Sequence, residues 1–184
     1  MRLNEPRKCS LSRDLCIYPA TLVLIDGFAV TPARVRSATE EQGLGAYIFS
    51  NPCNPTGCCL RGAALAELTA LARSHDLTLL SDEFYSHYVY EPNADGSARP
   101  GAGPVSAAEF VEDVEQDPVL LFDGLTKNHR YPGWRVGWVV GPAVKVEAIA
   151  RTASSIDGGP SRVALEALYR FAVWSEESDF IFAK

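Results

Sequence analysis

Residues 46–57 read AYIFSNPCNPTG, and this stretch decides how the rest of the chain is interpreted. Ala46–Phe49 is a short apolar run that Asn51-Pro52 ends abruptly. A run of this length bounded by turn residues predicts a buried strand. The segment that follows, Asn-Pro-Cys-Asn-Pro-Thr-Gly, consists of standard turn residues. Taken by itself, it predicts no more than a double turn.

Helix and strand signals alternate on both sides of this stretch. Thr31-Pro32 predicts a helix start, with Thr31 as N-cap and Pro32 at the first helical position. Between Arg61 and Ser74, helical spacing relates four apolar residues, Leu65, Leu68, Leu71 and Ala72. Further strands are predicted at Thr21–Ile25, Leu77–Leu80, Val119–Phe122 and Val136–Val140. Further helices are predicted at about 144–154 and 161–174.

The alternation of strands and helices predicts an α/β fold with a mainly parallel sheet, covered on both faces. Residues 92–118, rich in proline, glycine and acidic residues, predict a surface excursion with one short helix around 106–112. In parallel sheets the ligand site lies beyond the carboxyl ends of the strands. Polar segments follow three of the predicted strands, at 50–57, 81–85 and 123–127. We therefore expect these segments to converge at one edge.

Composition narrows the classes of function. The 184 residues carry a net charge of -6, with 47% hydrophobic and 22% charged residues, which is typical of a soluble globular protein. The acidic balance argues against nucleic acid or an anionic membrane as partner. No apolar run approaches the roughly 18 residues of a membrane span. The five cysteines and three histidines lack a metal-ligand spacing, so we expect no metal site and reduced thiols in a cytoplasmic protein.

Three segments in order carry a resemblance to a known family. Asn-Pro-Cys-Asn-Pro-Thr-Gly (51–57), Asp-Glu-Phe-Tyr (82–85) and Lys-Asn-His-Arg-Tyr-Pro-Gly-Trp-Arg-Val-Gly (127–137) resemble the class I/II aminotransferases, which belong to fold type I of the pyridoxal-phosphate (PLP) enzymes. The resemblance spans roughly Ala20 to Phe171. It implies a three-layer α/β/α sandwich in which the strand at 136–140 runs against the others. It also implies a lead-in at 1–19, a partial large domain at 20–175, a tail at 176–184, and a homodimer for the complete enzyme.

The resemblance also implies the reaction and the role of each site residue. Lys127 would form the internal aldimine and shuttle a proton while an amino group passes from an amino acid to a 2-oxo acid. A free lysine has a pKa of about 10.4, so neighbouring groups would have to lower it. Asp82 would pair with the pyridine nitrogen, and Glu83, the competing carboxylate, would point to the other side by strand alternation. The other matched positions would contact the ring oxygen (Asn54 and Tyr85) and the phosphate (Arg135).

One position departs from the family pattern. The family usually has a phosphate-contacting serine three residues before the lysine, and here that position is Gly124, for which Thr126 would compensate in part. The phosphate-binding helix start, the ring that stacks on the pyridine and the arginine for the substrate carboxylate have no match in this chain. The sequence thus predicts a truncated form of an aminotransferase. The alternatives are a PLP lyase of the aminocyclopropane-carboxylate-synthase kind and a catalytically dead cofactor-binding remnant.

The 184-residue chain expressed alone should bind PLP weakly and show no steady transamination. Substrate positioning can supply about 7–11 kcal/mol of a barrier, and the chain has no match for the carboxylate clamp that would provide it. Amino-group transfer from common amino acids to 2-oxo acids measures this directly. Turnover at rates typical of enzymes would contradict the expectation.

Overall fold

The structure, a computed structural model, describes residues 30–95, 97–101, 103–156 and 158–177, together with two short strands nearer the N-terminus. Those two, β1 (Arg7–Lys8) and β2 (Cys16–Ile17), pair antiparallel. The predicted strand Thr21–Ile25 lies outside the described residues.

A four-stranded sheet forms the centre of the molecule. Its strands are β3 (Ala46–Ser50), β4 (Thr78–Asp82), β7 (Val119–Gly124) and β8 (Gly137–Val140), in that spatial order. The first three run parallel and β8 runs antiparallel to β7. The mostly parallel α/β fold with a reversed last strand is therefore confirmed. A separate antiparallel hairpin joins β5 (Tyr90–Pro92) and β6 (Ala98–Pro100).

Two helices and a 3-10 turn cover one face of the sheet. Helix α1 (Pro32–Gln42) begins as predicted, because the Thr31 side chain accepts a hydrogen bond from the Arg34 N–H at 3.4 Å. It ends at Gly43, whose φ of 65° is the left-handed geometry that glycine adopts without strain. Helix α2 (Ala63–Ser74) begins two residues after the predicted start. The 3-10 turn is Ala107–Phe110.

The main core lies between this layer and the sheet. The four α2 residues singled out by helical spacing are all at most 1% exposed, and they pack against Phe49, Leu79 and Val119 of the sheet. Burying a leucine side chain stabilises a fold by about 1.5–3 kcal/mol, so this stripe dominates the packing. Arg73, in the last turn of α2, donates to the buried Asp117 carboxylate at 2.7 Å. That ion pair ties the helix to the segment that enters β7.

The other face is covered unevenly. Ile48 of β3 is 71% exposed there. Helix α3 (Ala143–Ile156) reaches the sheet through Lys145, whose amine donates to Thr78 Oγ1 at 2.6 Å. Helix α4 (Arg162–Glu177) forms a second, smaller core in which Ala164 lies with Leu125 and Val136. Among the described helices, none is long and apolar enough to cross a membrane.

The segment 92–118 contains more regular structure than the sequence predicted. The expected short helix is the 3-10 turn, but the β5–β6 hairpin was not predicted. Prolines at Pro92 and Pro100 argue against strands, because proline cannot donate to a ladder. In the structure Pro92 nevertheless pairs with Ala98, and Pro100 pairs with Tyr90. Asn93 and Ser97 close the turn through their backbones at 2.7 Å and their side chains at 2.8 Å.

Candidate functional site

The loop after β3 is pinned at its base. Asn51 is 1% exposed, and its amide exchanges hydrogen bonds with the Leu60 backbone at 2.7 and 2.8 Å. The Asn51 N–H also donates to the Asp82 carbonyl at 2.8 Å, which continues the sheet past the end of β3. Gly57, at a φ of 72°, supplies the turn that brings the loop back. This loop projects Asn54 from the carboxyl edge of the sheet.

The adjacent carboxylates Asp82 and Glu83 lie in different environments. Glu83 is 5% exposed and accepts hydrogen bonds from Ser81 Oγ, Ser106 Oγ and the Ala107 N–H at 2.5 to 2.9 Å. Burial raises the pKa of Glu83, and these three donors oppose that rise. Asp82 is half-buried on the other side of the chain and accepts only a 3.3 Å bond from the Phe84 N–H among the bonds the structure records for its carboxylate. The Glu83 carboxylate therefore binds donors in the interior, whereas the Asp82 carboxylate can accept further hydrogen bonds at the sheet edge.

Three loops meet around the ring of Tyr85. The Asn54 side-chain amide donates to the Tyr85 hydroxyl at 3.3 Å. The Lys127 Nζ lies 5.5 Å from the centre of the same ring. These residues follow β3, β4 and β7 respectively, so the predicted convergence of the three polar segments is observed. Lys127 itself is exposed, and its amine is open to a ligand from solvent.

The two residues expected at the phosphate do not join this group. Arg135 is exposed, in the left-handed region at a φ of 53°, and its guanidinium donates to the Pro132 carbonyl at 3.3 Å. Within the described part of the chain, no recorded contact links it to Lys127, Tyr85 or Asn54. Thr126 is half-buried beside Lys127. The structure thus brings Asn54, Tyr85 and Lys127 together, while Arg135 and Thr126 make no recorded contact with them in the described part of the chain.

Sequence reasoning missed the residue that holds the lysine loop. Asn128 donates to the Asp123 carboxylate and to the Glu83 carbonyl, each at about 2.9 Å, and accepts from the His87 N–H at 3.2 Å. The signal available in the sequence was its position directly after Lys127, but an asparagine in a loop most often indicates a turn.

The histidines and cysteines do not form a metal site in the described residues, where no group of three or more potential ligands occurs. His75 is the C-cap residue of α2. His87 and His129, distant in sequence, lie with ring centres 6.0 Å apart. Burial lowers the pKa of His129, while the Asp123 charge opposes that effect. Three of the cysteines lie in the loop after β3, namely Cys53, Cys58 and Cys59.

Gly124 has no room for a side chain. A Cβ there would lie 2.7 Å from the Val136 carbonyl oxygen and 2.9 Å from both the Gly137 Cα and the Phe84 ring. Gly124 and Gly137 are paired across β7 and β8, and the Phe84 ring packs against both. Gly124 thus stands where the family usually has serine, and the Phe84 ring packs closely against it.

The functional groups at this edge of the sheet have the chemistry that PLP requires. An open amine, a phenol paired with an amide and a half-buried carboxylate stand at the carboxyl edge of a mostly parallel sheet. Together with the reversed last strand, they define a PLP-transferase type of α/β protein. The sequence profile of the family described as "Aminotransferase class I and II" matches residues 14–171. The chain belongs to this family, whose members are PLP-dependent enzymes.

Individual relatives agree on the family and differ in the reaction their names give. The chain is 29% identical over 162 residues to an aspartate aminotransferase of Geobacillus stearothermophilus, covering 88% of this chain and 38% of that one. It is 34% identical over 127 residues to an arginine–pyruvate transaminase of Pseudomonas aeruginosa, covering 69% and 29%. The solved aspartate aminotransferase of Thermus thermophilus with maleate superposes with a TM-score of 0.62 at 30% identity, covering 77% and 33%. The chain therefore spans about a third of the length of these relatives.

Gly124→Ala should lower the free energy of unfolding by about 1–3 kcal/mol, the usual cost of overpacking. The added methyl has backbone on two sides, and only the Phe84 ring can move. Gly45→Ala is the matched control, because a Cβ at Gly45 meets nothing within 4 Å, and its effect should stay within about 0.5 kcal/mol. Denaturant unfolding measures both. Equal stability of the two variants would contradict the contact described here.

Proposed function

We propose that the group around Tyr85 binds PLP and that the longer enzyme to which this chain belongs transfers an amino group between an amino acid and a 2-oxo acid. The observation that carries the proposal is the meeting of Asn54, Tyr85 and Lys127, from three separate loops, at the sheet edge where β4 ends with Asp82. A site made from the ends of three parallel strands is where this class of sheet binds its ligand. When bound, PLP withdraws electrons from the substrate α-carbon and weakens the bonds there.

Lys127 is proposed as the residue that holds the cofactor aldehyde and then moves a proton at the substrate α-carbon. An amine suits both tasks, since it is a nucleophile when neutral and an acid when protonated. Its place above the Tyr85 ring, together with its exposure, leaves it accessible from the sheet edge.

The residues around the lysine are proposed to orient the cofactor ring. The Asp82 carboxylate accepts a hydrogen bond from the protonated pyridine nitrogen, and a hydrogen bond of this charged kind contributes about 1.5–3 kcal/mol. The Tyr85 hydroxyl and the Asn54 amide donate to the ring oxygen. Arg135 and Thr126 are proposed for the phosphate, which requires the Arg135 guanidinium to leave the Pro132 carbonyl. A planar guanidinium suits that task because it can donate two parallel hydrogen bonds.

Amino-group transfer is proposed as the class of reaction, without a particular amino acid as donor. The relatives' names include the amino acids aspartate and arginine, so they do not agree on one donor. We also propose that residues 20–175 belong to the large domain of a longer enzyme. The homodimer implied by the resemblance and the cytoplasmic location expected from the cysteines remain predictions.

Borohydride reduction of the PLP-loaded chain should attach the label to Lys127. Peptide mapping by mass spectrometry identifies the labelled lysine, and Lys127→Ala should abolish the label. Lys145→Ala is the control, since Lys145 bonds Thr78 at the opposite end of β4 and should not affect labelling. A label on Lys145 or Lys8 in the parent chain would refute the assignment.

Asp82→Asn should weaken PLP binding about tenfold to a hundredfold, because it removes a charged hydrogen bond worth about 1.5–3 kcal/mol. Glu83→Gln, the matched control, should leave PLP affinity nearly unchanged but lower the Tm, because the Glu83 carboxylate accepts its hydrogen bonds from Ser81, Ser106 and the Ala107 N–H. Fluorescence titration with PLP and thermal unfolding separate the two effects. If both variants lose the same affinity, Asp82 is not the partner of the ring nitrogen.

A further inference from the structure

Lys127 lies in a segment that no strand holds. It follows β7 by three residues, and β8 begins ten residues later. Its side chain is exposed, so packing does not fix the amine. A misplacement of about 1 Å can cost a hundredfold in rate in a site that depends on orientation. The position of Lys127 over the Tyr85 ring therefore has to come from the backbone on either side of it.

Asn128 connects that backbone to two other segments. Its Nδ2 lies within hydrogen-bond distance of both Asp123 carboxylate oxygens, at 2.9 and 3.0 Å, which anchors it to the end of β7. The same Nδ2 lies 2.9 Å from the Glu83 carbonyl and 3.0 Å from Ser86 Oγ. Its Oδ1 accepts from the His87 N–H at 3.2 Å. One side chain thus joins the lysine loop to the end of β7 and to the turn after β4.

The turn to which Asn128 is hydrogen-bonded is the one that carries Tyr85. Residues on both sides of Tyr85, Glu83 and Ser86, bond to the same amide nitrogen. A second bond supports the arrangement, since the Tyr88 hydroxyl donates to the Lys127 carbonyl at 2.9 Å. Because the turn that carries Tyr85 and the residue after Lys127 are tied together, this network sets the distance from the Lys127 backbone to that turn, and so the range from which the Lys127 amine reaches the Tyr85 ring.

We propose that Asn128 is a positioning residue for Lys127, which it holds over the Tyr85 ring through the Asp123 carboxylate and the turn after β4. The inference rests on the proposed function for its catalytic meaning, whereas the placement of Lys127 can be tested without a cofactor. Only an amide satisfies this position. Its N–H groups face a carboxylate and a carbonyl, which are both acceptors, while its oxygen faces a backbone donor.

Asn128→Asp is the sharpest variant, because it keeps the shape and replaces the donor with an oxygen. Two carboxylates would then face each other across the Asp123 contact, and like charges repel. The double variant Asn128→Asp with Asp123→Asn restores a donor opposite an acceptor and should rescue in part. Tyr88→Phe is a milder second variant that removes only the bond to the Lys127 carbonyl. Asn93→Asp, in the β5–β6 turn, is the matched control.

The first measurement uses the chain without PLP. After reductive methylation with carbon-13 formaldehyde, the Lys127 methyl signal should be shifted by the Tyr85 ring current, with Lys145 as an internal reference. The assignment comes from Lys127→Ala. We expect Asn128→Asp to bring the Lys127 signal toward its position in Tyr85→Leu, with partial recovery in the double variant and no change in Asn93→Asp. An unchanged Lys127 signal in Asn128→Asp overturns the inference, even if the Tm falls.

The second measurement is PLP labelling of Lys127 at subsaturating cofactor, followed by borohydride. We expect Asn128→Asp to reduce it about tenfold, the factor that corresponds to one lost hydrogen bond to a charged group. Tyr88→Phe should reduce it less. If the parent Lys127 takes no label while its methyl signal responds to Asn128→Asp, the proposed function fails and the positioning role stands. Full labelling of Asn128→Asp would overturn the positioning role instead.

Discussion

The register of three parallel strands determines where the polar side chains of the site lie. Ser50 pairs with Asp82, and Asp82 pairs with Phe122, so β3, β4 and β7 reach the same edge at the same level. Each strand then continues directly into a loop that carries one of the residues around the Tyr85 ring. A shift of one residue in any of these strands would turn its side chains to the opposite face. The buried α2 stripe and the Arg73–Asp117 pair hold this register from the helical side.

That same register divides the two carboxylates at the end of β4. Successive side chains of a strand point to opposite faces, so Asp82 and Glu83 cannot share an environment. Glu83 enters the interior, where three hydrogen bonds offset the cost of burying a charge. Asp82 stays at the open edge. The two carboxylates, which are chemically similar, thus lie in different environments because they are neighbours in a strand and point to opposite faces.

Much of this could be predicted from the sequence, for identifiable reasons. Periodicity marked the α2 core correctly, the Thr31-Pro32 signal marked the start of α1, and alternation separated Asp82 from Glu83. These are local signals. The β5–β6 hairpin escaped because its prolines contradict strand propensity. Asn128 escaped because its partners, Glu83 and Ser86, are more than 40 residues away in sequence and only the folded sheet brings them near. The lack of space at Gly124 was equally invisible, since it arises from a neighbouring strand and from Phe84.

Phe84 connects the end of the sheet to the candidate site through its ring and its backbone N–H. It stands between Asp82 and Tyr85, and its ring packs on the Gly124–Gly137 pair where β7 and β8 come together. Its N–H donates to the Asp82 carboxylate at 3.3 Å. Phe84 therefore anchors the turn that presents Asp82 and Tyr85, and its ring fits because Gly124 has no Cβ, which would lie 2.9 Å from the ring. A larger residue at Gly124 would push Phe84 outward, and Asp82 and Tyr85 would move with it. Gly124, which departs from the family pattern, therefore helps to hold Asp82 and Tyr85 in place.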